Sequence, residues 1–80
     1  MITVRVKLYG TLRRFSNTTI RGVWEGQVES EATFRDLLHA IGTTEREVAV
    51  VTAAGRRVLL DALVETSPYD IKIVTPVGGG

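Results

Sequence analysis

In TFRDLLHAIG, Thr33 to Gly42, the apolar residues Phe34, Leu37, Leu38 and Ile41 fall at i, i+3, i+4 and i+7. That is the stripe of an α-helix with one side buried. Thr33 with Asp36 three residues later has the form of a capping box, and Gly42 can take the left-handed conformation that ends a helix. Glu29, Glu31 and Asp36 place negative charge at the positive end of the helix dipole.

On either side of this segment the period is two. In ITVRVKLY, residues 2–9, Ile2, Val4, Val6 and Leu8 alternate with Thr3, Arg5, Lys7 and Tyr9, the pattern of a half-buried strand that ends near Gly10. IRGVWEGQV, residues 20–28, puts Ile20, Trp24 and Val28 on one face of a second strand, weakened by Gly22 and Gly26. The intervening TLRRFSNTT reads as a broad loop joining an antiparallel pair. EVAVVTAAGRRVLL, residues 47–60, reads as two short β segments around a turn at Ala53 to Gly55. DALVETSPYD reads as a connector whose Leu63 and Val64 tuck under the sheet. In DIKIVTPV, residues 70–77, Ile71 and Ile73 face one way and Lys72 and Val74 the other, and Pro76 ends regular pairing because it has no N–H to donate. One helix among several strands predicts an α+β fold with the helix across a sheet.

Eighty residues make one small domain with a thin core, burying about 60% of the surface its unfolded chain exposes. An elaborate enzyme pocket is not expected. Hydrophobic residues at 44% and charged residues at 24% exclude disordered and fibrous classes. Ten Lys and Arg against nine Asp and Glu, with no basic block, supply no general electrostatic reason to bind nucleic acid. The absence of cysteine excludes disulfides, thiolate metal sites and a Cys nucleophile. The alternating N-terminus does not suit a signal peptide, and no apolar run approaches the roughly 20 residues of a membrane span. A cytoplasmic location without membrane partners is expected.

With these elements in place, the chain resembles the ubiquitin-like β-grasp sulfur carriers, comprising the small subunit of molybdopterin synthase (MoaD) and the thiamine sulfur carrier ThiS. VRVKLYGTLRRF is similar to the family's first strand and its hydrophobic-then-basic segment, TFRDLLHAIG to its helix, and IKIVTPVGGG to its terminus. The family's turn before the last strand is here Ser67, Pro68, Tyr69 and Asp70, and its usual Pro-Pro is Thr75 and Pro76. The resemblance implies a β-grasp domain over residues 1–77, with a mixed sheet of four to five strands and one main helix, followed by a glycine tail over residues 78–80.

It also implies a chemistry. In the family the C-terminal carboxylate, here that of Gly80, is adenylated by an ATP-using partner of the MoeB/ThiF type and converted to a thiocarboxylate. The sulfur then passes to a second enzyme, in the MoaD branch a larger subunit of the MoaE type that builds molybdopterin. The carrier is thus a protein co-substrate with no catalytic residue, bound metal or cofactor of its own, and ATP is consumed by the partner. The chain length and the TLRRF and PVGGG segments favour the MoaD branch. A carboxylate is a poor acyl electrophile, so adenylation supplies the leaving group, and sulfur carried on the backbone makes a cysteine unnecessary. Gly78 and Gly79 have no Cβ and can lie against a partner's channel walls. Pro76 stiffens the launch point, and Val74, Pro76 and Val77 are the expected docking residues on an apolar patch. The alternatives are a ubiquitin-like modifier joined through Gly80 to a lysine, a ThiS-like carrier, and a binding module with an incidental tail.

The remaining chemistry-bearing residues read as structural. His39 lies on the helix's polar side with no carboxylate or Ser placed to form a triad. Trp24 reads as a core or sheet-face anchor. Arg13–Arg14 and Arg56–Arg57 read as solvated loop charges, with an electrostatic dock for an acidic partner as the functional alternative. Glu65, Tyr69 and Asp70 read as turn and surface residues. VGGG is not a phosphate loop, because no helix follows it.

Overall fold

The computed structural model describes residues 1–48 and 50–75. It contains the strands β1 (Ile2–Leu8), β2 (Val23–Val28), β3 (Val50–Ala53), β4 (Arg56–Arg57) and β5 (Ile71–Val74), with the helix α1 (Phe34–Ile41) between β2 and β3. The strands form one mixed sheet in the order β2-β1-β5-β3-β4. β1 is antiparallel to β2 and parallel to β5, and β3 is antiparallel to both β5 and β4. The first and last strands are thus central neighbours.

The pleat assigns the two faces. Val4, Val6 and Leu8 of β1, Val51 and Ala53 of β3, and Ile71 and Ile73 of β5 are buried. They form one cluster with Phe34, Leu37, Leu38 and Ile41 of α1, so the whole helical stripe faces the sheet. Thr3, Arg5, Lys7 and Lys72 alternate onto the opposite face. Among the described residues no helix is long and apolar enough to cross a membrane.

The ends of α1 follow from its local sequence. Thr33 and Asp36 form the reciprocal capping box. Gly42 is left-handed at φ 112°, and the amides of Gly42 and Thr43 both donate to the Leu38 carbonyl. Two amides of the first turn, on Phe34 and Arg35, donate to the carbonyls of Ala62 and Leu60 at 3.1 and 3.0 Å. The connector therefore satisfies donors that a helix start otherwise leaves to water. Val64 of this connector is fully buried as expected, but Leu63 is 37% exposed. Leu63 bridges to Thr33, which turns alternate residues in opposite directions and leaves only Val64 in the core.

Four further expectations are corrected. The second strand starts at Val23 instead of Ile20, which is 52% exposed. The Thr18 hydroxyl accepts from the Ile20 amide, the Val23 amide donates to the Ile20 carbonyl, and Gly22 has φ 85°, so residues 18–22 form a turn. The loop before that turn contains a short 3-10 helix, Gly10–Phe15, with Leu12 fully buried beneath it. Gly26 is not a weak point of β2. A Cβ there would fall 2.5 Å from the Trp24 ring, so the missing side chain leaves the space the indole occupies. The β3–β4 turn consists of Ala54 and Gly55 at φ 53° and 79°, the two-residue type I′ geometry, with Ala53 inside the strand.

β2 is an edge strand, and the loop protects it. Asn17 donates from its side-chain amide to the Glu25 carbonyl and accepts from the Glu25 amide, both at 2.7 Å. One side chain thus fills the position of a neighbouring strand and blunts that edge against pairing with another chain.

Candidate functional site

β5 delivers the C-terminal segment from the middle of the sheet. The Tyr9 amide donates to the Ile73 carbonyl at 3.1 Å, tying the end of β5 to the end of β1, while Val74 is registered against Val50 on the other side. One residue later Thr75 meets the loop. Gly10 has φ 63°, and a Cβ built on it would overlap the Thr75 hydroxyl. A non-glycine residue at position 10 is therefore opposed by both backbone strain and the Thr75 side chain. The exit is held on both flanks before the chain reaches Pro76.

Of the expected site residues, Val74 is placed and half-buried. Pro76, Val77, Gly78, Gly79 and Gly80 lie outside the described residues. Of the apolar docking patch expected from Val74, Pro76 and Val77, the described residues include Val74 alone. Val74 and Val50 are both half-buried on the helix-free face, and the next position of β5 on that face is Lys72, registered against Lys7 of β1.

Sequence reasoning missed what lies beside this exit. An open groove of about 270 Å³ runs along the end of β1 and the turn into β2. Lys7, Arg13 and Arg21 line it, together with Tyr9, Ile20 and Val23. The aliphatic stem of Arg13 lies over Gly22, whose absent side chain leaves room for it. The three cations are far apart in sequence and form no run, so only the hairpin brings them together. The one available signal was the Arg13–Arg14 pair, and the two residues have different roles. Arg13 enters the groove, whereas Arg14 pairs with Glu47 and sits 4.4 Å from the centre of the Phe15 ring.

His39 is exposed on α1, as are Arg56 and Arg57 on β4. Trp24 is buried in the core. Arg35 joins Asp61 and Glu45 across the start of the helix, and the hydrogen bond to Asp61 is the main reason its guanidinium holds its proton more strongly than usual. The Asp36 carboxyl is held below its ordinary range by hydrogen bonds from the backbone and side chain of Thr33. Both groups serve the helix start. Among the described residues, no three His, Asp or Glu side chains gather where they could hold a metal ion.

No protein-family model and no curated protein matches the chain. Among solved structures, the crystal structure of SAMP1 from Haloferax volcanii matches with a TM-score of 0.64 and 18% identity, covering 98% of this chain and 99% of that one. The fold is a ubiquitin-like β-grasp. The match covers nearly the whole of both chains, so the β-grasp accounts for the five-strand mixed sheet and single main helix together. In this β-grasp the central strand β5 leads directly into Thr75 and the glycine-rich segment.

Proposed function

We propose that the chain is a ubiquitin-like protein co-substrate that works through the carboxyl group of Gly80, and specifically a sulfur carrier of the MoaD type. The observation that carries this reading is the placement of TPVGGG immediately after β5, the central strand of a β-grasp, with Thr75 seated on Gly10. That arrangement gives the segment a rigid root, so Gly78, Gly79 and Gly80 can enter a narrow site in a partner while the body docks outside. Ordering each tail residue costs about 1–2 kcal/mol of backbone entropy, which contacts within the partner must offset.

The chemistry runs in two displacements. A carboxylate oxygen of Gly80 attacks the α-phosphorus of ATP in a MoeB/ThiF-type activating partner, and pyrophosphate leaves. A sulfide equivalent supplied by that system then attacks the acyl carbon, AMP leaves, and the thiocarboxylate remains. In the MoaD reading the thiocarboxylate passes its sulfur to a cyclic pterin within a MoaE-type larger subunit. This chain supplies the acyl group and the docking body, and its partners supply the catalytic residues.

Intact mass spectrometry after incubation with an activating enzyme, ATP and a sulfur donor tests the reading. An oxygen-to-sulfur mass gain localised to Gly80 is expected, and deletion of Gly79 and Gly80 should abolish it. High-mass conjugates to lysine without a thiocarboxylate would replace the carrier with a ubiquitin-like modifier. No change at Gly80 with an enzyme active on another carrier would end the proposal.

A further inference from the structure

We infer that the groove of Lys7, Arg13 and Arg21 is a docking site for an acidic segment of a partner protein, one that carries an aliphatic or aromatic side chain among its carboxylates. The first observation is the separation of charge. Arg5, Arg14, Arg35 and Lys72 each have a carboxylate within ion-pair reach. Lys7, Arg13 and Arg21 have none among the described residues, and neither do Arg46, Arg56 and Arg57, but Lys7, Arg13 and Arg21 line one groove together and no acidic side chain lines it. A net charge of +1 therefore conceals a local excess of three positive charges.

The second observation comes from the sheet beside the groove. Lys7 is registered directly against Lys72 on the neighbouring central strand, an arrangement of like charges that disfavours pairing. The Asp70 carboxylate, at 3.9 Å from Lys72, is the acid nearest this pair in the ion-pair network. An anionic partner over the β1 end of the helix-free face would relieve that repulsion, so the fold accepts a local cost that binding reverses.

The apolar component comes from the groove itself. Ile20 is 52% exposed and Tyr9 41% exposed on a chain whose other large apolar side chains mostly enter the core. Cations around exposed apolar side chains match a segment of mixed Glu or Asp with Leu or Phe better than a purely polar polyanion. Location adds the functional link. Tyr9 is bonded to Ile73, and the next residue, Gly10, holds Thr75, so a partner seated here stands beside the root of the glycine segment. Complementary charge at such a rim acts mainly on the rate of encounter and on its salt dependence. That this partner is the activating enzyme rests on the function proposed above; the acidic chemistry of the segment does not.

The test uses the full chain labelled with nitrogen-15 and titrated with a short peptide of Glu, Leu and Phe. Two comparison probes are the same peptide with Lys for every Glu and a single-stranded oligonucleotide of equal net charge. Amide shifts are expected at Lys7, Tyr9, Arg13 and Ile20 to Val23 with the acidic peptide alone, weakening as salt rises. The K7E/R13E/R21E variant should lose at least about tenfold in affinity, and Arg56→Glu, at the opposite edge of the sheet, should lose less than about twofold. If the triple variant is not folded by its amide spectrum, Arg21→Ala alone should still show a measurable loss. No shifts in the groove, or tighter binding of the oligonucleotide there, would overturn the inference. A parallel assay of ATP–pyrophosphate exchange separates the two proposals. A wild-type chain that is never adenylated defeats the proposed function while the titration still decides the groove. Adenylation with the same KM for wild type and triple variant overturns the assignment of the activating enzyme as the partner seated in the groove, while the proposed function stands.

Discussion

Thr75 closes over the bare Cα of Gly10, joining the residue that follows β5 to the first residue of the 3-10 helix after β1. The contact has two separable parts, a positive φ at Gly10 and a hydroxyl occupying the space of its absent Cβ. Gly10→Ala is expected to destabilise the fold by about 1–3 kcal/mol. Thr75→Ala in the same background should recover the steric part and leave the backbone part. A double-mutant cycle in urea checks this, and purely additive effects would show that Thr75 does not press on position 10.

Trp24 and Gly26 make a similar pair on β2. The ring occupies the space above Gly26, so a branched side chain there must displace it. Gly26→Val should cost about 1–3 kcal/mol by overpacking, even though valine is the better strand former. Trp24 is the only tryptophan, so its fluorescence reports the site directly. A red-shifted emission is expected, and an unchanged spectrum with unchanged stability would mean that the ring does not rest there.

Leu12 separates the buried loop from the solvated loop that its polar neighbours suggest. It is fully buried in a 3-10 turn flanked by Thr11 and Arg13, whereas Leu59 is 77% exposed. Leu12→Ala should destabilise by about 2–5 kcal/mol, and Leu59→Ala should stay within about 0.5 kcal/mol. Chemical denaturation of both variants tests the contrast, and equal effects would place Leu12 outside the core.

These cases show which features can be read from the chain before it folds. The helix was legible to its last residue because its period, capping box and terminal glycine are all local, and β1 and β5 were legible from alternation. The start of β2 was not, because the Thr18 hydroxyl and Gly22 build a turn inside an apolar-spaced segment. Leu63 and Val64 are both apolar, and only the bridge to Thr33 determines which points inward. The parallel pairing of β1 with β5 joins segments more than sixty residues apart, for which no local pattern exists. At the candidate site, the glycine segment was conspicuous by composition alone. The groove beside its root was invisible, since Lys7, Arg13 and Arg21 become neighbours only when β1 turns back into β2.

The capping box at α1 makes stability depend on pH. The Thr33 amide donates to the Asp36 carboxylate at 3.0 Å, and the Asp36 amide donates to the Thr33 hydroxyl at 3.2 Å. The backbone bond first, and then the side chain of Thr33, hold the Asp36 carboxyl below its ordinary value. A carboxyl depressed on folding contributes stability that is fully present above its unfolded pKa, about 3.9, and is lost as pH falls through the lower folded value. Asp36→Asn removes this titration while keeping the shape. The Tm difference between wild type and variant should therefore be constant from about pH 7 to about pH 5 and should narrow below about pH 4. Thr33→Ala, which removes the N-cap acceptor, should cost about 1 kcal/mol and move the Asp36 carboxyl part of the way back to its ordinary range, because the backbone donor remains. Carboxyl carbon-13 titration reads that movement. A pKa unchanged by Thr33→Ala would show that the hydroxyl does not contribute, and a Tm difference that persists undiminished in strong acid would show that Asp36 does not act through its charge.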